Sequence, residues 1–132
     1  SAQLGTQTVA ALEALADLID ERGQYPGHSA RVAQLAEQIG RHLGLDSNTL
    51  ATLRLAARLH DLGMVIVPDA ALTREDPLLD DEREILHRHP VVGADLLKNF
   101  PSCRAAVPLV RWHHERPDGT GRRTMTVLGT GR

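Results

Sequence analysis

Apolar residues recur along this chain at three- and four-residue steps, the spacing of one buried helix face. Val9, Leu12, Leu15, Ala16 and Ile19 predict a first helix over roughly residues 6–22, ended by Gly23. The span 23–27, with Pro26 inside it, reads as a turn. Val32, Leu35, Ala36, Ile39 and Leu43 predict a second helix over about 28–43, stopped by Gly44. Asp46 or Ser47 can cap a third, which carries Leu50, Leu53, Ala57 and His60 at helical spacing. Residues 64–68, Met-Val-Ile-Val-Pro, are the only β-like run, too short and too isolated to build a sheet. Asp80, Asp81 and Glu82 form an acidic first turn that suits a helix N-terminus, so a fourth helix runs to about Arg88. His89-Pro90 then predicts a break and a fifth helix over about 90–99, because Pro favours the first helical position. Pro101-Ser102 opens a sixth over about 103–115, with a kink expected at Pro108. The pattern is that of an all-α, single-domain bundle of about six helices.

Composition narrows the class. Tyr25, Phe100 and Trp112 are the only aromatic residues, which leaves the core to Leu, Ala, Val and Ile packed between helices. At 132 residues, 42% hydrophobic and 24% charged, the chain can bury one core, and wholesale disorder is excluded. A net charge of -2 argues against a partner that is a nucleic-acid polymer but leaves room for a small nucleotide. No apolar run approaches the ~18–20 residues of a membrane helix, so no membrane insertion by this segment is expected. The single cysteine, Cys103, excludes an internal disulfide and fits a reducing, cytoplasmic compartment. A start at Ser1 without a signal peptide suggests a piece of a longer protein. The stretch from Gly119 to Arg132 has no acidic residue and no helical stripe. Residues 122–132 are therefore expected to be a loose or partner-dependent tail behind a domain over 1–121.

The candidate chemistry lies in the histidines. Seven in 132 residues is a high count, and their placement matters more. His28 heads a helix, His60-Asp61 ends one, His89 lies at a helix junction and His113-His114 ends another. Each falls where an apolar stripe meets a helix end, which is where a bundle can aim side chains into one cavity. Imidazole and carboxylate are the usual ligands of Zn, Fe, Mn and Ni, and an Asp with two free oxygens can bridge two cations. His42, beside Arg41, and His87, between Leu86 and Arg88, read as ordinary boundary residues.

These residues carry a resemblance. His28-Ser29-Ala30-Arg31-Val32-Ala33, His60-Asp61-Leu62-Gly63 with Val67-Pro68-Asp69, His89-Pro90-Val91-Val92-Gly93, and His113-His114-Glu115-Arg116-Pro117-Asp118-Gly119-Thr120-Gly121 resemble the HD-GYP family. That family belongs to the HD superfamily of metal-dependent phosphohydrolases, and the likeness covers roughly residues 6–121. It implies a bacterial helical domain that hydrolyses cyclic di-GMP at a centre of two or three metals, iron or manganese before zinc or nickel. Its ligands here would be His28, His60, Asp61, His89, His113 and His114, with Asp61 bridging and His60-Asp61 as the catalytic pair. Arg122 would contact substrate, and sensor, receiver or diguanylate-cyclase-type domains would be the attached partners.

The chain also departs from the family pattern. Met64 stands where the family usually has a Lys that touches substrate phosphate. Gln24 stands where members with a third metal supply a Glu. The Gly-Tyr-Pro signature is absent, since Gly121 is followed by Arg122 and Arg123, and no carboxylate follows Asp118. These departures keep two alternatives open: a degenerate module that binds metal or protein without turnover, and an HD phosphohydrolase for another nucleotide. Leu109, Val110 and Trp112 lie on a helix that later family elements would cover. Self-association through that face is therefore expected.

Overall fold

The computed structural model describes residues 2–73 and 75–114. The tail over 122–132, Arg122 within it, and the motif residues from Glu115 onward lie outside the described residues. Six α-helices and two 3₁₀ segments follow in the order α1 (Ala2–Arg22), α2 (His28–His42), α3 (Ser47–Leu59), a 3₁₀ segment Leu62–Ile66, α4 (Asp69–Thr73), α5 (Asp80–Leu97), a second 3₁₀ segment Pro101–Ala106, and α6 (Val107–Arg111). No strand occurs among them, so the all-α reading holds.

The first three helices form where the spacing predicts them, but α2 buries Ser29, Ala33 and Gly40 and leaves Leu35, Ile39 and Leu43 of its expected apolar face exposed. Leu12, Ala16 and Ile19 of α1 pack into one core with Ala56 and Leu59 of α3, Leu62, Ala94 and Leu97 of α5, and Cys103, Ala106 and Val110. α2 ends in a turn that needs glycine: Gly44 has φ 78°, and Leu45 N–H reaches back to the Gly40 carbonyl at 3.1 Å while Gly44 N–H takes that of Arg41 at 3.0 Å. Asp46 is the cap of α3, its Oδ1 accepting from Thr49 N–H at 2.7 Å.

Three expectations are corrected. Residues 62–66 are 3₁₀ and not extended: Met64 N–H bonds to Asp61 O and Val67 N–H to Met64 O. Leu62 and Val67 are buried while Val65 and Ile66 both face outward, a pattern that strand alternation cannot produce. The break at His89-Pro90 is absent, and α5 runs unbroken from Asp80 to Leu97. Pro90 has no N–H for the Leu86 carbonyl one turn back, but His89 Nδ1–H donates to that same carbonyl at 2.7 Å. The sixth helix is short and preceded by 3₁₀ turns, and Pro108 lies in its first turn, where a missing N–H costs no helical bond. The short helix α4 has no counterpart in the sequence reading. Val110 is fully enclosed in the core, so of the face expected to be uncovered only Leu109 and part of Trp112 reach solvent.

Candidate metal centre

Four separate segments converge on Asp61. α2 brings His28 in its first position, the end of α3 brings His60, the middle of α5 brings His89, and the turn after α6 brings His113 and His114. The close approach of the first 3₁₀ segment to α5 brings Asp61 and His89 together. Gly63 lies against the α5 backbone with no room for a side chain: a Cβ there would stand 2.7 Å from the His89 carbonyl carbon and 2.8 Å from Gly93 N. Arg22 of α1 clamps the other side of this segment, its Nη2 donating to Met64 O at 2.6 Å.

The two oxygens of Asp61 face different imidazoles. Oδ2 lies 3.1 Å from His60 Nε2 and 3.7 Å from His28 Nε2. Oδ1 lies 3.1 Å from His89 Nε2 and 3.6 Å from His113 Nε2. Two ligand sets result, His28–His60–Asp61 and Asp61–His89–His113–His114, and within each set the ligand atoms lie within 4.8 Å of one another. All six residues expected from sequence are thus brought together. His42 and His87 belong to neither set.

Ring orientation is fixed by the backbone in the same way three times. His60 Nδ1 bonds to Ala57 O at 2.6 Å, His89 Nδ1 to Leu86 O at 2.7 Å, and His113 Nδ1 to Val110 O at 2.6 Å. A carbonyl oxygen can only accept, so each Nδ1 carries the proton and, in the neutral ring, each Nε2 presents a lone pair. Those lone pairs point at one another and at a carboxylate: His89 Nε2 and His113 Nε2 are 3.2 Å apart. Acceptors at such distances repel unless a positive charge lies among them. A divalent cation fits that donor set, with imidazole and carboxylate ligands whose outer nitrogens are already held.

A proton on Nε2 relieves the same repulsion in another way, since the ring then donates to Asp61. Burial alone would raise Asp61, but its bonds with His113, His60 and His89 outweigh burial and hold the carboxyl far below the usual carboxylate range. Burial opposes charge on His60, yet its bond to Asp61 prevails and raises it above an ordinary imidazole. His114 goes the other way: burial first, then the charge of His113 and of His89, push it down to about 4. Cys103 is enclosed in the core with its thiol pushed up by burial, so it offers no nucleophile.

Sequence reading missed the supports of this centre. Asp20 and Arg22 lie away from the histidine motifs, and Ser29, although inside the His28 motif, gives no sign in sequence of its bond to Asp20.

Comparison with known proteins places this geometry. The HD domain family matches residues 13–124. A cyclic di-GMP phosphodiesterase of Pseudomonas aeruginosa is 39% identical over 95 residues, covering 71% of this chain and 23% of that protein. The cyclic di-GMP phosphodiesterase response regulator RpfG of Xanthomonas campestris is 32% identical over 93 residues, covering 69% of this chain and 25% of its own length. A 3′3′-cGAMP-specific phosphodiesterase of Vibrio cholerae is 31% identical over 109 residues, covering 82% of this chain and 24% of that protein. The chain thus spans about a quarter of the length of these relatives. With the family match across most of its length and the His-Asp cluster at its centre, the chain belongs to the HD-domain family, in its HD-GYP branch.

Proposed function

We propose that this chain is the phosphodiesterase domain of a cyclic dinucleotide signalling protein, hydrolysing cyclic di-GMP at a centre of two divalent cations. The observation that carries this reading is the division of Asp61, one oxygen toward His28 and His60, the other toward His89 and His113. Divalent metal binding goes with the HD domain, and the His-Asp cluster offers the donors. His28, His60 and Asp61 would hold one ion; Asp61, His89, His113 and His114 the other. Mixed imidazole and carboxylate donors suit iron or manganese, with zinc or nickel as alternatives.

When bound, such a pair of cations supplies Lewis acidity for in-line attack of water on a phosphodiester. The chain's own part is to hold the ligands still. The three Nδ1 bonds keep His60, His89 and His113 in one tautomer, so that Nε2 is always the nitrogen offered. Asp61 stays ionised through the whole neutral range and keeps both oxygens available. His60 and Asp61 are the catalytic pair, and Arg122 is the substrate contact. The names of the relatives supply the substrate class, a cyclic dinucleotide.

The remaining assignments follow from the same reading. Sensor, receiver or diguanylate-cyclase-type domains are the expected neighbours, self-association the expected assembly, and the cytoplasm the expected compartment. No described helix is long and apolar enough to cross a membrane. A second reading, a module that binds metal or protein without turnover, is favoured by Met64, an uncharged residue one 3₁₀ turn beyond Asp61. Incubating the manganese- or iron-loaded chain with cyclic di-GMP, and separately with 3′3′-cGAMP, decides between them by chromatography. Release of linear dinucleotide or mononucleotide is expected from the first substrate. Cleavage of the second alone moves the assignment to another cyclic dinucleotide, and no cleavage with both metals bound establishes the non-hydrolytic reading.

A further inference from the structure

α2 starts without a side-chain cap of its own, because its N-cap residue is Gly27. The acceptor comes from another helix. Asp20, near the end of α1, accepts from Ser29 N–H through Oδ2 at 2.7 Å and from the Ser29 hydroxyl through Oδ1 at 3.0 Å. Both residues are almost wholly enclosed, 5% and 1% exposed. The intervening turn closes over the same residue, with Tyr25 N–H bonded to Asp20 O at 2.9 Å. Ser29 directly follows His28, so what fixes Ser29 fixes the backbone from which His28 projects.

His28 depends on that support more than its partners do. His60, His89 and His113 are each tied by a ring nitrogen to a carbonyl three residues back. Among the described residues no such bond holds His28, whose ring is 41% exposed and whose Nε2 lies 3.7 Å from Asp61 Oδ2. Charge points the same way. Asp20 is a buried carboxylate whose side-chain bonds go to neutral groups, and Arg58, which feels its charge, is bonded instead to Asp17. A buried carboxylate without a counter-charge is costly. With neutral imidazoles, Asp20 and Asp61 bring two negative charges to this side, which a divalent cation would balance.

We propose that Asp20 is a positioning residue for the His28 side of the centre, pinning the first turn of α2 so that His28 faces Asp61 and favouring a divalent cation there. The proposal rests on the two-cation reading above. Calorimetric titration of the 132-residue chain with Mn²⁺ tests it, on wild type, Asp20→Asn, Ser29→Ala and His28→Ala. Outer-shell partners of metal ligands typically contribute about 10–100-fold in affinity. Asp20→Asn is therefore expected to weaken one of two ions by that factor and leave the other unchanged, the pattern of His28→Ala. Ser29→Ala, which loses one of the two bonds, falls between. Equal weakening of both ions, or wild-type binding of both in Asp20→Asn, overturns the proposal. Should Asp20→Asn fail to fold by circular dichroism, unchanged binding of both ions in Ser29→Ala overturns it. A second readout needs no metal: in the metal-free chain, Asp20→Asn or Ser29→Ala should shift and broaden the NMR signals of the His28 ring and spare those of His89 and His113. Unmoved His28 signals refute the positioning role, whereas a wild-type chain that binds fewer than two ions refutes the reading beneath it.

Discussion

Adding one methyl group at Gly63 should damage fold and site together. The Cβ of Gly63→Ala would lie 2.7 Å from the His89 carbonyl carbon and 2.8 Å from Gly93 N, with the carbonyl oxygen nearer still. These are backbone atoms inside an unbroken helix, so no rotamer change can clear the space. To restore ordinary contact the 3₁₀ segment and α5 must part by roughly 1 Å or more. Overpacking of a core costs about 1–3 kcal/mol, and a clash that only backbone can relieve belongs at or above the upper end, ~3 kcal/mol. The same displacement carries Asp61 away from His89, whose 3.1 Å approach lies directly across this contact. Metal ligation tolerates errors of only about 0.2 Å, so cation affinity should fall as well. Urea unfolding of the metal-free protein, followed by circular dichroism, measures the first effect, and Mn²⁺ titration the second. A loss of stability below ~1 kcal/mol, with cation binding intact, would refute the close approach as the determinant of site geometry.

Two further substitutions test the scaffold away from the centre. Gly5→Ala should stabilise α1 by about 0.5–1 kcal/mol, since its Cβ meets only Ser102, Cβ at 3.4 Å and Oγ at 3.8 Å, and Ala is the better helix former; thermal or urea unfolding checks this. Asp17 binds Arg58 through both oxygens, at 2.7 and 3.1 Å, and the Arg58 bond holds its carboxyl below the usual range against the opposing effect of burial. A depressed folded value means the stabilisation is present above the unfolded value of 3.8 and is lost as pH falls through the folded one. Asp17→Asn should thus cost stability at pH 7, no more than about 1 kcal/mol with Asp17 itself half-exposed, and the difference from wild type should shrink in urea unfolding as the pH falls below 3.8.

The parts of this protein legible from sequence were those governed by local pattern. Val9 through Ile19 and Val32 through Leu43 announce their helices by spacing, and Gly44 and Asp46 mark the ends through backbone geometry and capping. The six residues of the cluster were legible from their motifs and, except for His89 in the middle of α5, from their places at helix ends. What escaped depended on contacts distant in the chain. Nothing near Pro90 shows that His89 will occupy the carbonyl that proline abandons, so a break was the sound expectation and a continuous helix the result. Val65 and Ile66 have β propensity, but no partner strand exists among the described residues, and the packing of Gly63 on α5 decides that segment instead. The Asp20–Ser29 contact joins two helices across a turn, and Asp20 belongs to no motif that would mark it.

The central claim is that Asp61 is shared between two cation sites. Equilibrium dialysis against Mn²⁺, with the protein-bound metal counted for wild type and Asp61→Ala, tests it most directly. The account predicts two ions per wild-type chain and loss of both in the variant, because each ligand set contains that one carboxylate. A wild-type chain that holds a single ion, or an Asp61→Ala chain that keeps one at wild-type affinity, would contradict it.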